Sequence, residues 1–177
     1  MTLKNLFYHV EGLPLPKEHE FVNLDTNQTT LFLKHMKFGI LGKKVVQTFE
    51  IPLSRILEIG IVSEIYEKRK SSIGRAIVGG VVLGPLGAII GSVSGVGTKD
   101  AKKKTFTIIY LASDDTIKTI LLKMASAPGA NNFSYDKKIQ KIVALVPKDP
   151  KVKELLQKEE AVYETSMNED GTITTKL

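Results

Sequence analysis

The sequence predicts a mainly β, α+β domain that is interrupted by one long insert. Short β-rich runs occupy two stretches of the chain, and a helical pattern of apolar residues follows the last of them. A single glycine-rich block, almost without charge, separates the two groups of runs. With 177 residues, 42% of them hydrophobic, the chain is long enough for one domain with an embellishment.

Four β-rich runs separated by turn residues precede the insert. They span residues 20–24, 29–33, 43–51 and 55–67. In the last run, Leu57, Ile59 and Ile61 alternate with more polar positions. This alternation predicts an antiparallel strand with one apolar face and one wetter face.

Two further β-rich runs, 105–113 and 116–124, follow the insert and flank a turn at Asp114 and Asp115. Ser134 is a suitable cap for the next helix, in which apolar residues recur with helical spacing up to Pro147. Residues 151–161 predict a second, highly charged helix. For the tail, residues 162–177, we predict either a small hairpin or a mobile end.

The glycine-rich block, residues 73–98, has Arg75 as its only charged residue and Pro85 near its middle. Proline interrupts a helix, so we expect two short helical arms that form a hairpin. Small residues recur every fourth position on both arms, which predicts a ridge for close helix packing and self-association. The ridge consists of Ala76, Gly80 and Gly84 on the first arm and Gly87, Gly91 and Gly95 on the second.

Basic residues flank the block on both sides. They are Lys68, Arg69 and Lys70 before it, and Lys102, Lys103 and Lys104 after it. Positive charge at both ends favours two ends on the same cytoplasmic face of a membrane, where these side chains would bind anionic lipid headgroups.

The run Ile51–Ile59 resembles the motif that leads into a strand in bacterial pleckstrin-homology-like (PH-like) and GRAM-like domains. The hairpin 106–124 with its amphipathic helix is similar to their second sheet and C-terminal capping helix. The resemblance implies a two-sheet, partly open barrel that acts as a lipid- or protein-binding adaptor. We therefore predict a PH-like domain over 10–147, an inserted glycine-zipper hairpin over 73–98, and a charged helix and tail over 148–177.

The resemblance also bears on ligand choice. Phosphoinositide-binding members hold phosphates through a basic cluster in the first hairpin loop. We assign that loop to Asp25–Gln28, which has no such cluster. Specific inositide recognition is therefore not expected.

Motifs for catalysis or cofactor binding do not occur in the sequence. His9, His19 and His35 lack metal-ligand spacing, and we expect them at the surface or in loops. There is no GxSxG elbow, dinucleotide fingerprint or phosphate loop, so we predict neither enzyme activity nor a cofactor. No aromatic residues are interleaved with the basic runs, so we do not expect nucleic acid as a partner.

Composition agrees with residence on the cytoplasmic side of a membrane. The formal charge of +6 favours anionic partners, and the absence of cysteine fits a reducing compartment or a bacterial or phage source. No apolar run of signal-peptide length occurs near Met1.

These observations predict a non-enzymatic, membrane-associated module that inserts its glycine-zipper hairpin and forms homo-oligomers. Two alternatives remain open. One is a pore-forming or membrane-perturbing bacterial or phage-defence effector. The other is a soluble assembly component that uses the hairpin as a protein–protein contact.

Overall fold

The structure, a computed structural model, describes residues 5–15, 20–40, 42–61, 105–124, 133–162, 165–167 and 173–175. Its first strands are β1 (Leu6–Glu11), β2 (Phe21–Thr26), β3 (Thr30–Gly39) and β4 (Gly42–Pro52). A 3-10 turn (Leu53–Arg55) leads to β5 (Ile56–Ile61), and β6 (Thr105–Leu111) and β7 (Ile117–Met124) follow. Two helices, α1 (Phe133–Leu145) and α2 (Pro150–Val162), precede a small hairpin of β8 (Thr165–Met167) and β9 (Ile173–Thr175).

Strands β1 to β7 form one antiparallel sheet in the order β4-β3-β2-β1-β7-β6-β5. β1 joins its two halves, because Tyr8 lies opposite Phe21 of β2 and opposite Lys123 of β7. Strands β4 and β5 are the two edges, so the sheet is not closed. The predicted mainly β class is confirmed, and the two predicted sheets are halves of one continuous sheet.

The core lies on one face of this sheet and takes side chains from both halves. Phe7, Leu33 and Phe106 are fully buried in it. Helix α1 packs against the edge strand β5 and adds Ile139 and Val143 to the same core. A helix after the last strand therefore covers part of the core, which fits a PH-like, partly open barrel.

β1 is absent from the strands predicted from the sequence, and its presence corrects one assignment. Asp25–Gln28 covers the end of β2 and the start of its connection to β3, which is the second hairpin. The first connection, between β1 and β2, spans positions 12–20 of the sequence, where Lys17 is the one Lys or Arg. It also lacks a basic cluster, so the expectation about inositides is unchanged.

A bulge in β5 corrects the predicted face of that strand. The register against β6 shifts between Ile56 and Glu58. Ile59 and Ile61 face the main core, whereas Leu57 packs with Val152 of α2 in a second cluster. The prediction that Leu57 shares a face with Ile59 was wrong, because the extra residue in a bulge reverses the alternation of side chains.

The β1–β2 connection begins at a position that requires glycine. Gly12 has φ +92°, and a Cβ there would lie 2.0 Å from the carbonyl oxygen of Thr119 on β7. Only glycine permits both this conformation and this close approach.

Candidate functional site

The insert is attached to two neighbouring strands of the sheet. β5 ends at Ile61, β6 begins at Thr105, and Ile61 lies directly opposite Phe106 in the antiparallel register. Such partners have Cα atoms about 5 Å apart. The chain therefore leaves the described barrel and returns to it at adjacent points on one end of the sheet.

Both attachment points are anchored in the core. The ring of Phe106 is fully buried and packs on Phe7, with ring centroids 5.4 Å apart. Ile61 and Thr105 are also buried, and Thr105 lies opposite Lys123 of β7. Because these residues are held by packing and by strand pairing, the base of the insert has a fixed geometry.

The predicted site residues lie outside the described residues. This holds for the ridge of Ala76, Gly80, Gly84, Gly87, Gly91 and Gly95 and for the basic flanks, Lys68–Lys70 and Lys102–Lys104. Lys104 directly precedes Thr105, and Lys68 follows Ile61 by seven positions. Their roles in self-association and headgroup binding remain predictions.

A charged cluster holds α2 against the β6–β7 turn. The Arg55 guanidinium donates to the carbonyl oxygens of Leu111 (3.0 Å) and Ala112 (2.8 Å) and to the Asp115 carboxylate (2.7 Å). Lys151 of α2 pairs with the other oxygen of Asp115. The hydrogen bonds from Lys151 and Arg55 lower the pKa of Asp115. This cluster has a structural role: it holds α2 against the sheet, and Asp115 lies in the predicted turn between β6 and β7.

A groove of about 640 Å³ lies between β5 and the helices, with apolar residues such as Leu57 in its lining and lysines among them. One of these, Lys148, donates to the carbonyl oxygens of Ile56 (2.8 Å) and Val143 (3.3 Å). Burial lowers the pKa of Lys148, while the negative charge of Glu58 opposes that effect. Lys148 therefore joins the last turn of α1 to the start of β5, and it gives the helix-end carbonyl of Val143 a hydrogen-bond partner.

Two of the three histidines are interior residues, which corrects the expectation of surface positions. His9 accepts a hydrogen bond at Nε2 from the backbone N–H of Leu13 (3.1 Å). His35 Nε2 lies 3.0 Å from the Glu20 carboxylate. Both rings are buried in the β1–β3 region, whereas His19 lies outside the described residues.

Within the described ranges, no three or more His, Asp or Glu side chains are grouped so that they could hold a metal ion. The helices in the same part of the chain are too short or too polar to cross a membrane.

Comparison with known families decides what kind of domain this is. A family model described as a glycine zipper-containing PH domain matches residues 15–126, which is most of the chain. The chain belongs to this family. The match extends from the β1–β2 connection through the glycine-rich block to the end of β7, and it confirms the resemblance drawn from the sequence. PH-like domains are generally non-catalytic. No curated protein matches the chain.

Proposed function

We propose that this PH-like module is a non-enzymatic membrane adaptor on the cytoplasmic side of a membrane. Its glycine-rich insert enters the lipid as a helical hairpin and self-associates there. The observation that carries the proposal is the pairing of Ile61 with Phe106. An insert attached at one end of a single sheet returns to the side from which it left, since a single crossing would separate two paired strands.

The composition of the insert supports lipid as its environment. Residues Ala76–Gly97 include 22 consecutive uncharged residues, and their glycines recur on one predicted helical ridge. In water each glycine inside a helix costs about 1 kcal/mol relative to alanine. In lipid the same residues permit close backbone contact between helices, which is a main source of helix association there.

The basic flanks supply the attraction to the surface. Lys68, Arg69 and Lys70 lie before the block, and Lys102, Lys103 and Lys104 lie after it. Each such side chain contributes about 1 kcal/mol near an anionic leaflet, and this contribution falls with rising salt.

Flotation with lipid vesicles tests the proposal. The intact chain should float with vesicles that contain phosphatidylserine, and a variant lacking residues 73–98 should float much less. If the intact chain stays at the bottom of the gradient, as the variant does, the alternative of a soluble assembly component replaces the proposal. If the chain floats and also releases an entrapped dye, the membrane-perturbing effector replaces the adaptor.

Self-association is tested separately with ridge variants. Gly87→Leu with Gly91→Leu should abolish cross-linked oligomers in detergent, because two isobutyl groups prevent close helix approach. Ala88→Leu with Ser92→Leu adds the same side chains off the ridge and serves as the matched control. Oligomers that persist in the ridge variant, or that are lost equally in both, contradict the ridge.

A further inference from the structure

Strand β4 is an open edge of the sheet. It runs for 11 residues (Gly42–Pro52), and β3 is its one neighbour in the sheet. All residues from 42 to 48 are exposed, so no described part of the chain covers either face of this stretch. The outward N–H and C=O groups of such an edge can pair with a further strand.

Exposed apolar side chains are concentrated on the same hairpin. In the described part of the chain five large hydrophobic residues are exposed, and four of them, Phe38, Ile40, Val45 and Val46, belong to β3, β4 or the turn between them. The exposed fraction is 44% for Val45 and 50% for Val46, on the open edge itself. Residues 45–49 carry no charge, and valine and threonine favour strands. The exposure of this apolar stretch marks an interaction site.

The register against β3 decides which residues of β4 share a face. A bulge at Val46 shifts this register, so the faces follow from the β3 partners rather than from spacing along β4. Four residues of β4 lie opposite alternate residues of β3 and therefore share one face. They are Lys43, Val45, Thr48 and Glu50, which lie opposite Phe38, Met36, Lys34 and Phe32. Lys44 lies opposite Lys37 and is on the other face.

The charges on β4 complement those of a second copy in the antiparallel orientation. Lys43 is near the start of the strand and Glu50 near its end, and neither forms an ion pair with a described residue. A two-fold axis between Val46 and Gln47 places Lys43 of each copy opposite Glu50 of the other, on the same face. Residues 42–51 of the two strands then pair along their whole length. The two Lys43 residues are about 23 Å apart in this arrangement, beyond the screening length at physiological salt.

We infer that β4 is a dimer contact, in which the β4 strands of two copies pair about a two-fold axis between Val46 and Gln47. A second copy fits this edge better than an unrelated acidic strand does, because such a strand would attract Lys43 but repel Glu50. Opposite charges that face each other across an antiparallel strand pair are favourable, whereas like charges are unfavourable. One strand pair buries less area than a standard interface, so we expect the dimer at protein concentrations of about 100 μM and above.

This contact goes beyond the proposed function, because it involves the barrel and requires no lipid. β4 is at the opposite edge of the sheet from β5, after which the insert begins. Antiparallel pairing reverses the second copy, so the two inserts leave the joined sheet at opposite ends. The β4 dimer is therefore a contact between barrels in solution, separate from the association of inserts through the glycine ridge in lipid.

A disulfide beside the axis tests the contact in the full chain. The protein has no cysteine, so Val45→Cys with Thr48→Cys provides two thiols that the register places directly opposite each other in the dimer. Such partners have Cα atoms about 5 Å apart, within the range of a disulfide, whereas residues three apart on one strand are separated by about 10 Å. Mild oxidation should therefore link two chains. Lys44→Cys with Thr48→Cys places its thiols on opposite faces, and this control should give less than about a tenth of the linked dimer.

The same cysteines separate this dimer from association through the insert. Adding Gly87→Leu with Gly91→Leu should leave the yield of linked dimer unchanged. Absence of the linked dimer, its loss in this ridge variant, or equal yields from the cysteine pair and its control would overturn the inference. If the full chain does not float with vesicles but the disulfide forms, the proposed function fails and the dimer stands.

Charge reversal tests the pairing of Lys43 with Glu50. Sedimentation of the full chain with Gly87→Leu and Gly91→Leu measures the dimer dissociation constant without ridge contacts. Lys43→Glu should raise this constant about tenfold, because both charge pairs in the dimer become repulsive. Lys43→Glu with Glu50→Lys should restore it to within about twofold, since the two charges are exchanged. Lys138→Glu, on α1, has the same net charge as Lys43→Glu and should change the constant less than about twofold. A charge-exchanged variant that dimerises as weakly as Lys43→Glu would overturn the inference.

Discussion

Ile61 and Phe106 are directly opposed on neighbouring antiparallel strands, although they lie 45 positions apart in the sequence. Both side chains are buried in the main core. The whole intervening segment is therefore attached through one strand pair. The insert can be removed or altered in an experiment that leaves the strands of the barrel intact.

Replacing residues 63–104 by a two-residue Asn-Gly turn should leave the barrel folded, because it keeps the register in which Ile61 lies opposite Phe106. The register between β5 and β6 already brings the two ends together, and a shorter loop has less entropy to lose on closure. We expect the free energy of unfolding in urea to rise by about 2 kcal/mol. Loss of cooperative unfolding would show instead that the insert completes the core.

Gly12→Ala should destabilise the domain by about 3 kcal/mol, because it places a Cβ against the Thr119 carbonyl at a positive φ. Gly39→Ala is the matched control, since nothing lies within 4 Å of a Cβ built there. The control should change stability by less than about 0.5 kcal/mol. Similar urea midpoints for both variants would contradict the close approach of β7 to the β1–β2 connection.

Asp115→Asn should lower the melting temperature near neutral pH and lose its effect in acid. The folded-state pKa of Asp115 is lowered by Lys151 and Arg55, so the charged carboxylate is favoured in the folded protein. Its contribution is present above the unfolded value of 3.8 and disappears as the pH falls through the lowered folded value. The control is Glu50→Gln, which removes an exposed carboxylate on β4. A difference between wild type and Asp115→Asn that is constant from pH 6 to strong acid would contradict the pairing.

Val152→Ala should destabilise the protein by about 2 kcal/mol, because Val152 is fully buried with Leu57 and Ile109. Leu145→Ala, on the neighbouring helix, removes more atoms from a side chain that is 84% exposed and should cost almost nothing. Thermal or urea unfolding measures both. Equal stabilities would mean that α2 does not dock on β5 and β6.

Much of the fold could be predicted from the sequence, because alternating β-rich runs and a helical repeat of apolar residues depend on local geometry. The turn at Asp114 and the helix containing Ile139 follow from such local patterns. β1 is not among the strands predicted from the sequence, although Leu6–Glu11 contains the aromatic and β-branched residues typical of a strand.

Other features depend on contacts that a local pattern does not contain. The bulge that turns Leu57 towards α2 arises from the register of β5 against β6. The burial of His9 and His35 depends on pairing among β1, β2 and β3. The exposure of Ile40 and Phe38 is also seen only in the structure, although in the sequence lysines flank the three apolar residues Phe38, Ile40 and Leu41.

The central claim is that the glycine-rich insert leaves and returns on one side of a membrane. Ser71→Cys and Lys99→Cys each place a single thiol beside one end of the block in a chain without cysteine. An impermeant maleimide, added to right-side-out and to inside-out membrane vesicles from expressing cells, reports the side of each thiol. We predict that both thiols are labelled in inside-out vesicles and neither in right-side-out vesicles. Labelling of the two thiols from opposite sides would contradict the account.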